Sequence, residues 1–301
     1  MLLLAWRVDV NLFSMHQFYR NRLTRCYLGA SRPERRGDAF TDFDFDDDLA
    51  LAALRHQRPF HLVCATLNIS RSDHLEWQQR QAAPFVFTPS QCGFRLPDGK
   101  DRGAFRPTAD YMSREGGGKG NGGARLGMAV AVSGAAASPA MGYHTAPATA
   151  FLMTFFNVRL GRWCGNPRHE TDWRLSSPRF GLRYLIDELM AATDETSAFV
   201  NLSDGGHFEN LGLYELVRRR CRLIVVCDSG CDPRFEFEDL GNAIRKCRVD
   251  LGAEISIDVR PLLPGAAPRQ RLAVGRIRYW DDGRQALAGM PPTPECGVLV
   301  Y

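Results

Sequence analysis

The sequence carries little excess charge and no long hydrophobic run. Its 38 basic and 34 acidic side chains leave a formal net charge of +4 over 301 residues, which is too small and too scattered to favour a nucleic-acid partner. The longest uncharged apolar stretch, residues 127–156, contains Pro139 and Pro147, so it predicts packed interior rather than a membrane span. The apolar start at 1–6 is too short for a signal peptide. We therefore expect a globular protein of the cytoplasm.

Sequence motifs for metals and nucleotides are also missing. There is no HExxH and no paired CxxC, the spacings that most often bind zinc. The Gly-rich stretch at 114–127 lacks the ending of a Walker loop, because Gly120 follows Lys119. We expect no cofactor and no metal, and a flexible connector at 114–127. The nine cysteines, an odd number spread from Cys26 to Cys296, predict reduced thiols.

The first 50 residues are basic and aromatic at the start and acidic at the end. Helical spacing between Leu12 and Leu23 predicts an amphipathic helix. Such a helix could contact an anionic membrane surface, or it could be a surface helix that leads into a loop. The acidic run Asp42–Asp48 predicts a solvated linker. We expect residues 51–301 to form the main domain.

Apolar runs at 60–68 and 84–88 predict strands, and the small apolar residues of 126–137 predict a buried helix that Pro139 ends. Further along, strand and helix patterns alternate. The order is a strand at 198–203, a helix at 209–220, a strand at 222–228, a helix at about 238–249 and a strand at 255–259. This order predicts an α/β fold, a three-layer sandwich with a mainly parallel central sheet. The alternating tail predicts an antiparallel hairpin that turns at Asp281–Gly283.

Two aspartates end predicted strands of this sheet. Asp204 is followed directly by Gly205 and Gly206, and Asp228 ends the next strand. Ligands of open parallel α/β sheets bind at this edge, and the glycines leave room for a substrate or another backbone. Asp204 is therefore a candidate catalytic carboxylate, with an ordinary helix N-cap as the alternative. The two carboxylates could instead hold Mg²⁺ for phosphoryl transfer.

Three segments, in order along the chain, are similar to one known family. WQQR followed by FVFTPSQCGF (77–94), VSGAAASPAMGYH (132–144) and SDGGHFENLGLYELVRRR (203–220) resemble blocks of the patatin-like phospholipases, a group that includes the cytosolic phospholipase A2 type. The resemblance covers about residues 56–250. It implies a patatin-like fold of which this chain holds the carboxyl-terminal part, incomplete on its amino-terminal side.

The resemblance also implies a reaction. Patatin-like enzymes cleave acyl esters with a Ser/Asp dyad, so the implied substrate is a phospholipid or another acyl ester. Asp204 matches the aspartate that takes the serine proton directly, and Gly205 and Gly206 belong to the same motif. A carboxylate, with an ordinary pKa near 4, can do this only when it is held within hydrogen-bond distance of the hydroxyl.

The dyad serine has no match. No GxSxG motif occurs in the 301 residues, and Ser133, which precedes Gly134, falls in a segment that matches another block. We therefore expect Ser133, His144 and His207 to support Asp204 or to line the substrate cleft. We also expect a longer protein to supply the serine and the oxyanion loop. The alternative is a catalytically inactive chain that binds lipid or a protein partner.

Overall fold

The computed structural model describes residues 9–72, 80–95, 104–114, 123–139, 151–154, 156–279 and 295–301. The chain divides into two units, Met1–Phe208 and Glu209–Tyr301. Each unit contains one β-sheet, with six strands in the first and four in the second.

The first unit is built on an antiparallel sheet. Its strands are β1 (Val63–Asn68), β2 (Ala82–Phe87), β3 (Gln91–Phe94), β4 (Ala104–Pro107), β5 (Arg162–Gly165) and β6 (Phe199–Asp204). They lie in the order β4-β3-β2-β1-β6-β5, and all pairings between them are antiparallel. Because side chains alternate along a strand, β1 turns Ala65 and Leu67 to one face, and Thr66 and Asn68 to the other.

The helices of this unit include α1 (Met15–Leu23), α2 (Leu126–Ser133) and α3 (Gly181–Leu189). The predicted helices at 12–23 and 126–137 correspond to α1 and α2. Ser14 starts α1 by accepting the His16 N–H with its side chain. The short apolar side chains of α2 let it pack closely against β1, β6 and α1. The main core forms there, and includes Leu67, Ala129, Val132, Val200 and Leu202.

Part of the acidic run is tied into the first unit and buried, although Asp42 at its start stays exposed. Asp47 is 1% exposed and accepts hydrogen bonds from Arg32 and Arg35 at 2.7 and 2.6 Å. Asp48 is 3% exposed and accepts from the Gly127 N–H at 2.8 Å. Charge-assisted hydrogen bonds offset the cost of burying these carboxylates. The linker prediction failed because composition gives no sign of which arginines will reach the run.

The second unit carries a four-stranded sheet and two helices. The elements are α4 (Leu213–Arg218), β7 (Leu223–Val225), α5 (Glu238–Leu251), β8 (Glu254–Ile257), β9 (Val274–Tyr279) and β10 (Glu295–Val300). The sheet order is β7-β10-β9-β8. Strands β9 and β10 pair antiparallel, which confirms the predicted hairpin pairing. The predicted turn at 281–283 lies outside the described residues.

The prediction of a mainly parallel central sheet is wrong for the described residues. Among the named strands, the only parallel pairing joins β7 and β10. The predicted strands and helices between 198 and 260 do form, but β6 and β7 belong to different sheets. Strands β7 and β8 run in the same direction on either side of α5, yet β9 and β10 lie between them. The alternation of strands and helices along the chain predicted that β7 and β8 run in the same direction. It did not predict which strands lie beside them.

Strand β7 was also expected to be fully buried. It is an edge strand, and it exposes 64% of Leu223 and 59% of Val225 while burying Ile224. An apolar run alone does not distinguish a central strand from an edge strand. Among the described helices, none is both long and apolar enough to cross a membrane. All nine cysteines lie in described residues, and no disulfide joins any two of them.

Candidate functional site

Asp204 ends β6 with a half-buried side chain. The chain then enters a 3₁₀ turn, Gly205–His207, and Asp204 Oδ1 accepts a hydrogen bond from the Gly206 N–H at 2.7 Å. A short acidic side chain commonly satisfies a free turn amide in this way. Among the described residues, no cation pairs with Asp204 and no donor reaches its second oxygen. The carboxylate is thus oriented by one amide and can accept another proton donor.

Strand β1 fixes the turn that follows Asp204. The Thr66 hydroxyl donates to the Gly205 carbonyl at 3.3 Å. A Cβ atom on Gly205 would lie 2.7 Å from the carbonyl oxygen of Cys64, closer than real Cβ atoms approach. Glycine is needed here because the turn packs directly on the neighbouring strand.

The end of α2 lies beside Asp204. The Asp204 N–H donates to the Ala135 carbonyl at 3.4 Å, and Ser133 is the last residue of α2. The segment that carries Ser133 therefore contacts the strand end that carries Asp204. Among the described residues, no hydrogen bond joins the Ser133 and Asp204 side chains. Their proximity in the fold does not by itself give Ser133 a chemical role.

Tyr19 of α1 reaches the same place. Its hydroxyl donates to the Gly134 carbonyl at 3.1 Å. Burial, and then the negative charge of Asp204, raise the pKa of Tyr19 above its ordinary value. A phenol that stays protonated near a carboxylate remains a hydrogen-bond donor. Nothing in the residue pattern indicates this contact, since Tyr19 is one of several aromatic residues in the basic amino-terminal region.

Behind Asp204, the other face of β1 and β6 carries a buried polar row. Its members, Thr66, Asn68, Asn201 and Ser203, are all at most 1% exposed. Asn68 Nδ2 donates to Asn201 Oδ1 at 2.7 Å and to Ser203 Oγ at 3.0 Å. These mutual hydrogen bonds allow burial of polar groups that would otherwise destabilise the sheet.

His207 attaches to this row. Its Nδ1 lies 2.9 Å from Ser203 Oγ, and the ring is half-buried. A serine and a histidine at this distance have the geometry of a nucleophile and its base. Ser203 is fully buried, however, so an ester has no access to its hydroxyl. The contact positions the His207 ring next to the turn that carries Asp204.

A buried ion pair closes the row at its far end. Arg159 and Glu188 meet at 2.5 Å, with 1% and 0% of their side chains exposed. Glu188 Oε1 also accepts from Asn201 Nδ2 at 3.3 Å, and Arg159 donates to the Val10 carbonyl at 2.9 Å. Such a pair is strongly destabilising when one partner is removed, because the other charge stays buried.

Asp228 does not join Asp204. It follows β7 in the second unit, so the expectation that both aspartates end strands of one sheet is wrong. Asp228 accepts from the Gly230 N–H at 2.7 Å and from the Tyr301 hydroxyl at 2.6 Å. The described residues contain no cluster of three or more His, Cys, Asp or Glu side chains that could hold a metal ion. His144 lies outside the described residues.

Sequence reasoning found Asp204 and its glycines but missed Tyr19 and the polar row. The row does have a sequence signal. Polar residues alternate with apolar ones in VCATLN of β1 and in FVNLSD of β6. Two buried strands that alternate in this way predict a polar face that must be satisfied by cross-strand partners.

The sequence matches no protein-family profile and no curated protein. Among solved structures, the chain is similar to human GIVD cytosolic phospholipase A2, with a TM-score of 0.46 and 17% sequence identity. The similarity covers 95% of this chain and 42% of that protein. The chain therefore spans less than half the length of the structure it matches.

Proposed function

We propose that this chain carries the base of a lipid acyl hydrolase. In this proposal Asp204 accepts the proton of a serine hydroxyl, and the serine is not assigned to any residue of the 301. The observation that supports it is the setting of Asp204. The carboxylate ends a strand, is held by the Gly206 N–H, and has no cation partner among the described residues. The resemblance of the DGG segment to patatin-like phospholipases agrees with this role.

The chemistry requires one proton to move twice. As serine Oγ forms its bond to the ester carbonyl carbon, the hydroxyl proton passes to the free oxygen of Asp204. When the bond between the carbonyl carbon and the oxygen of the leaving alcohol breaks, Asp204 gives the proton to the alcohol oxygen. Water then releases the acyl group from the serine by the same sequence. Hydrogen bonding of Oδ1 to Gly206 keeps the second oxygen in a fixed direction throughout.

The proposed substrate is a phospholipid or another acyl ester, met in the cytoplasm at a membrane surface. Helix α1 supports this route. It carries Tyr19 next to the Asp204 edge, while Phe18 is 57% exposed and stacks under Arg22, 5.0 Å from its guanidinium carbon. Phe13, just before the helix, is 66% exposed. Exposed aromatic and basic side chains together are typical of segments that lie on anionic membranes.

A second candidate is a binding protein without catalysis. The absence of GxSxG from the 301 residues favours it. Such a chain would retain the fold around Asp204 and hold lipid or a protein partner without cleaving an ester. The two candidates differ in whether replacement of Asp204 changes a reaction rate or only an affinity.

The test is fatty-acid release from phosphatidylcholine and from a short-chain p-nitrophenyl ester. It compares the full gene product with its Asp204→Asn variant, which preserves the shape and the Gly206 contact but cannot act as a base. We expect the variant to lose activity by about 10³-fold. Equal activity in the two proteins would overturn the dyad. If neither protein cleaves an ester but both bind phospholipid vesicles, lipid binding without catalysis becomes the better-supported function.

A further inference from the structure

A cavity of about 540 Å³ opens on the first unit, away from Asp204. Its walls come from the first turn of α3, the start of β6 and the residue pair Thr171 and Asp172. Phe199 lines it at the start of β6, and Asp204 ends that strand five residues later. At the usual rise of a strand, the two places are about 17 Å apart. The cavity is therefore a separate site.

Three arginines give the cavity its charge: Arg114, Arg179 and Arg183. The side chains of Arg114 and Arg179 have no acid or carbonyl partner among the described residues. Arg183 lies 3.7 Å from Asp187 in an exposed pair and contacts the ring of Tyr184. The only acid in the lining is Asp172, which lies 3.4 Å from His169. Three guanidinium groups thus face one carboxylate.

The backbone adds to this preference for an anion. Helix α3 begins at Gly181, and its N-cap residue, Phe180, offers no side-chain acceptor to the first amides. Free amides at a helix N-terminus favour oxyanions. Guanidinium groups recognise phosphate oxygens through paired hydrogen bonds. Arg179 lies two residues before this helix, Arg183 lies in its first turn, and both line the cavity.

Apart from Thr171, the rest of the lining is apolar or aromatic. It consists of Leu175, Pro178, Phe180, Tyr184 and Phe199, and Phe199 is 5% exposed. A cavity of this volume is within the range of small-molecule sites. A free phosphate ion would contact the arginines and leave this apolar wall uncovered. A phosphate carried on an apolar chain would satisfy both parts.

We propose that this cavity binds the phosphate group of an anionic lipid. The site is independent of the Asp204 dyad, because it has its own charged groups and lies at the other end of β6. It would hold a lipid by its headgroup and first methylenes, whether or not that lipid is cleaved elsewhere on the protein.

The test measures binding by calorimetry with three probes and the full gene product. The first probe is an ether-linked lysophosphatidic acid, which has no ester to cleave, so the outcome does not depend on hydrolysis. The second is the matching ether-linked lysophosphatidylcholine, and the third is inorganic phosphate. We expect the first to bind at least ten-fold more tightly than either of the others, and its affinity to fall as salt is added.

Two variants locate the binding. Arg114→Gln combined with Arg179→Gln removes the two unpaired charges and is expected to weaken lysophosphatidic acid binding at least ten-fold. Arg168→Gln is the control, since Arg168 is exposed in the same unit and does not line the cavity. All three positions are exposed, so thermal midpoints should stay unchanged. Equal loss in the control, or no loss in the double variant, would overturn the site. Equal affinity for inorganic phosphate would overturn its assignment to a lipid.

Discussion

Asp204 and Asp228 hold their carboxylates in the same way. In each, Oδ1 accepts the N–H of the glycine two residues later, Gly206 or Gly230, at 2.7 Å. Asp204 is the last residue of β6 and Asp228 lies three residues after β7, and these strands belong to different sheets. Asp228 also accepts the Tyr301 hydroxyl at 2.6 Å, whereas the second oxygen of Asp204 has no donor among the described residues. Comparing the two residues therefore tests whether this local hydrogen bond is enough for a general base, or whether the position in the fold also matters.

The first prediction uses that pair. Asp204→Asn should reduce ester hydrolysis by about 10³-fold, while Asp228→Asn should leave the rate within about two-fold, because its carboxylate is already occupied and lies in the other unit. Fatty-acid release measures both. A chelator such as EDTA should have no effect on the rate. An equal loss of activity in the two variants, together with a rate that depends on Mg²⁺, would contradict the dyad. That result would favour Mg²⁺-dependent phosphoryl transfer instead.

The second prediction concerns the buried Arg159–Glu188 pair. Glu188→Gln keeps an acceptor for Asn201 but leaves the Arg159 charge buried without a counterion, so the free energy of unfolding should fall by about 3–5 kcal/mol. Asp42→Asn is the control in the same unit. It breaks a pair with Arg25 whose side chains are 42% and 52% exposed, and should cost less than about 1 kcal/mol. Urea denaturation followed by tryptophan fluorescence compares them. A similar decrease in the free energy of unfolding for both variants would mean that burial does not determine how much an ion pair stabilises the protein.

The third prediction is a pH dependence that comes from His16. The ring is fully buried, and its Nδ1 donates to the Leu160 carbonyl at 2.7 Å. Burial, and next the charge of Arg162, lower the pKa of His16 to about 3. The unfolded chain protonates near pH 6.5, whereas the folded chain stays neutral, so stability is lost as the pH falls from about 6.5 towards 3.

Between pH 7 and pH 5 this loss should be about 2 kcal/mol from His16 alone. His16→Asn keeps a donor for Leu160 but cannot titrate, so its unfolding free energy should fall less over the same interval. Urea midpoints at the two pH values give the difference. Parallel pH profiles for the two proteins would exclude His16 as the source.

The fourth prediction separates two glycines. Gly205→Ala places a Cβ 2.7 Å from the Cys64 carbonyl oxygen, so the turn must move away from β1 and both stability and activity should fall, the former by about 1–3 kcal/mol. Gly241→Ala, at the fourth residue of α5, meets nothing within 4 Å. It should stabilise the protein by about 0.5–1 kcal/mol because alanine is the better helix former. Thermal unfolding of each variant against the parent protein checks both signs.

The fifth prediction tests the proposed membrane contact of α1. Phe13→Ser combined with Phe18→Ser should weaken binding to vesicles of phosphatidylglycerol and phosphatidylcholine by about ten-fold, because two exposed aromatic side chains are lost. Cosedimentation with the vesicles measures it. Phe40→Ser serves as the control, since Phe40 is 97% exposed but lies outside α1. An unchanged affinity in the double variant would place the lipid-facing surface elsewhere.

The sequence predicted the positions of elements well and their pairing poorly. Strands β1, β2 and β6 and helices α1, α2 and α5 all overlap the stretches that their periodicity indicated, with ends that differ by a few residues. The spacing of apolar residues in a segment reflects which of its faces is buried, so this spacing can be read from the segment alone. Pairing depends on segments far apart in the chain, such as β1 and β6. The residue pattern of a strand does not indicate which strand will pair with it. The order of strands and helices along the chain therefore led to the prediction of a parallel sheet that does not form.

The candidate site divides in the same way. Asp204 at a strand end followed by two glycines is a local feature, and the structure places it at the end of β6. Tyr19 and Ala135 reach it from distant parts of the chain. The arginine cavity was also invisible in the sequence, because Arg114 is brought towards Arg179 by its backbone pairing with residues 174–176. Local sequence indicates the candidate carboxylate, whereas tertiary structure determines its surroundings.

The register of β1 and β6 has a consequence for how the site can change. Ala65 stands opposite Asp204, and Thr66 stands opposite Ser203. Deleting a single residue in β1 would exchange its two faces, setting Leu67 against the amides and hydroxyls while turning Asn68 into the core. The position of the Asp204 carboxylate is thus set by a strand much earlier in the chain. A change of one residue in the length of that strand would displace every cross-strand partner at once.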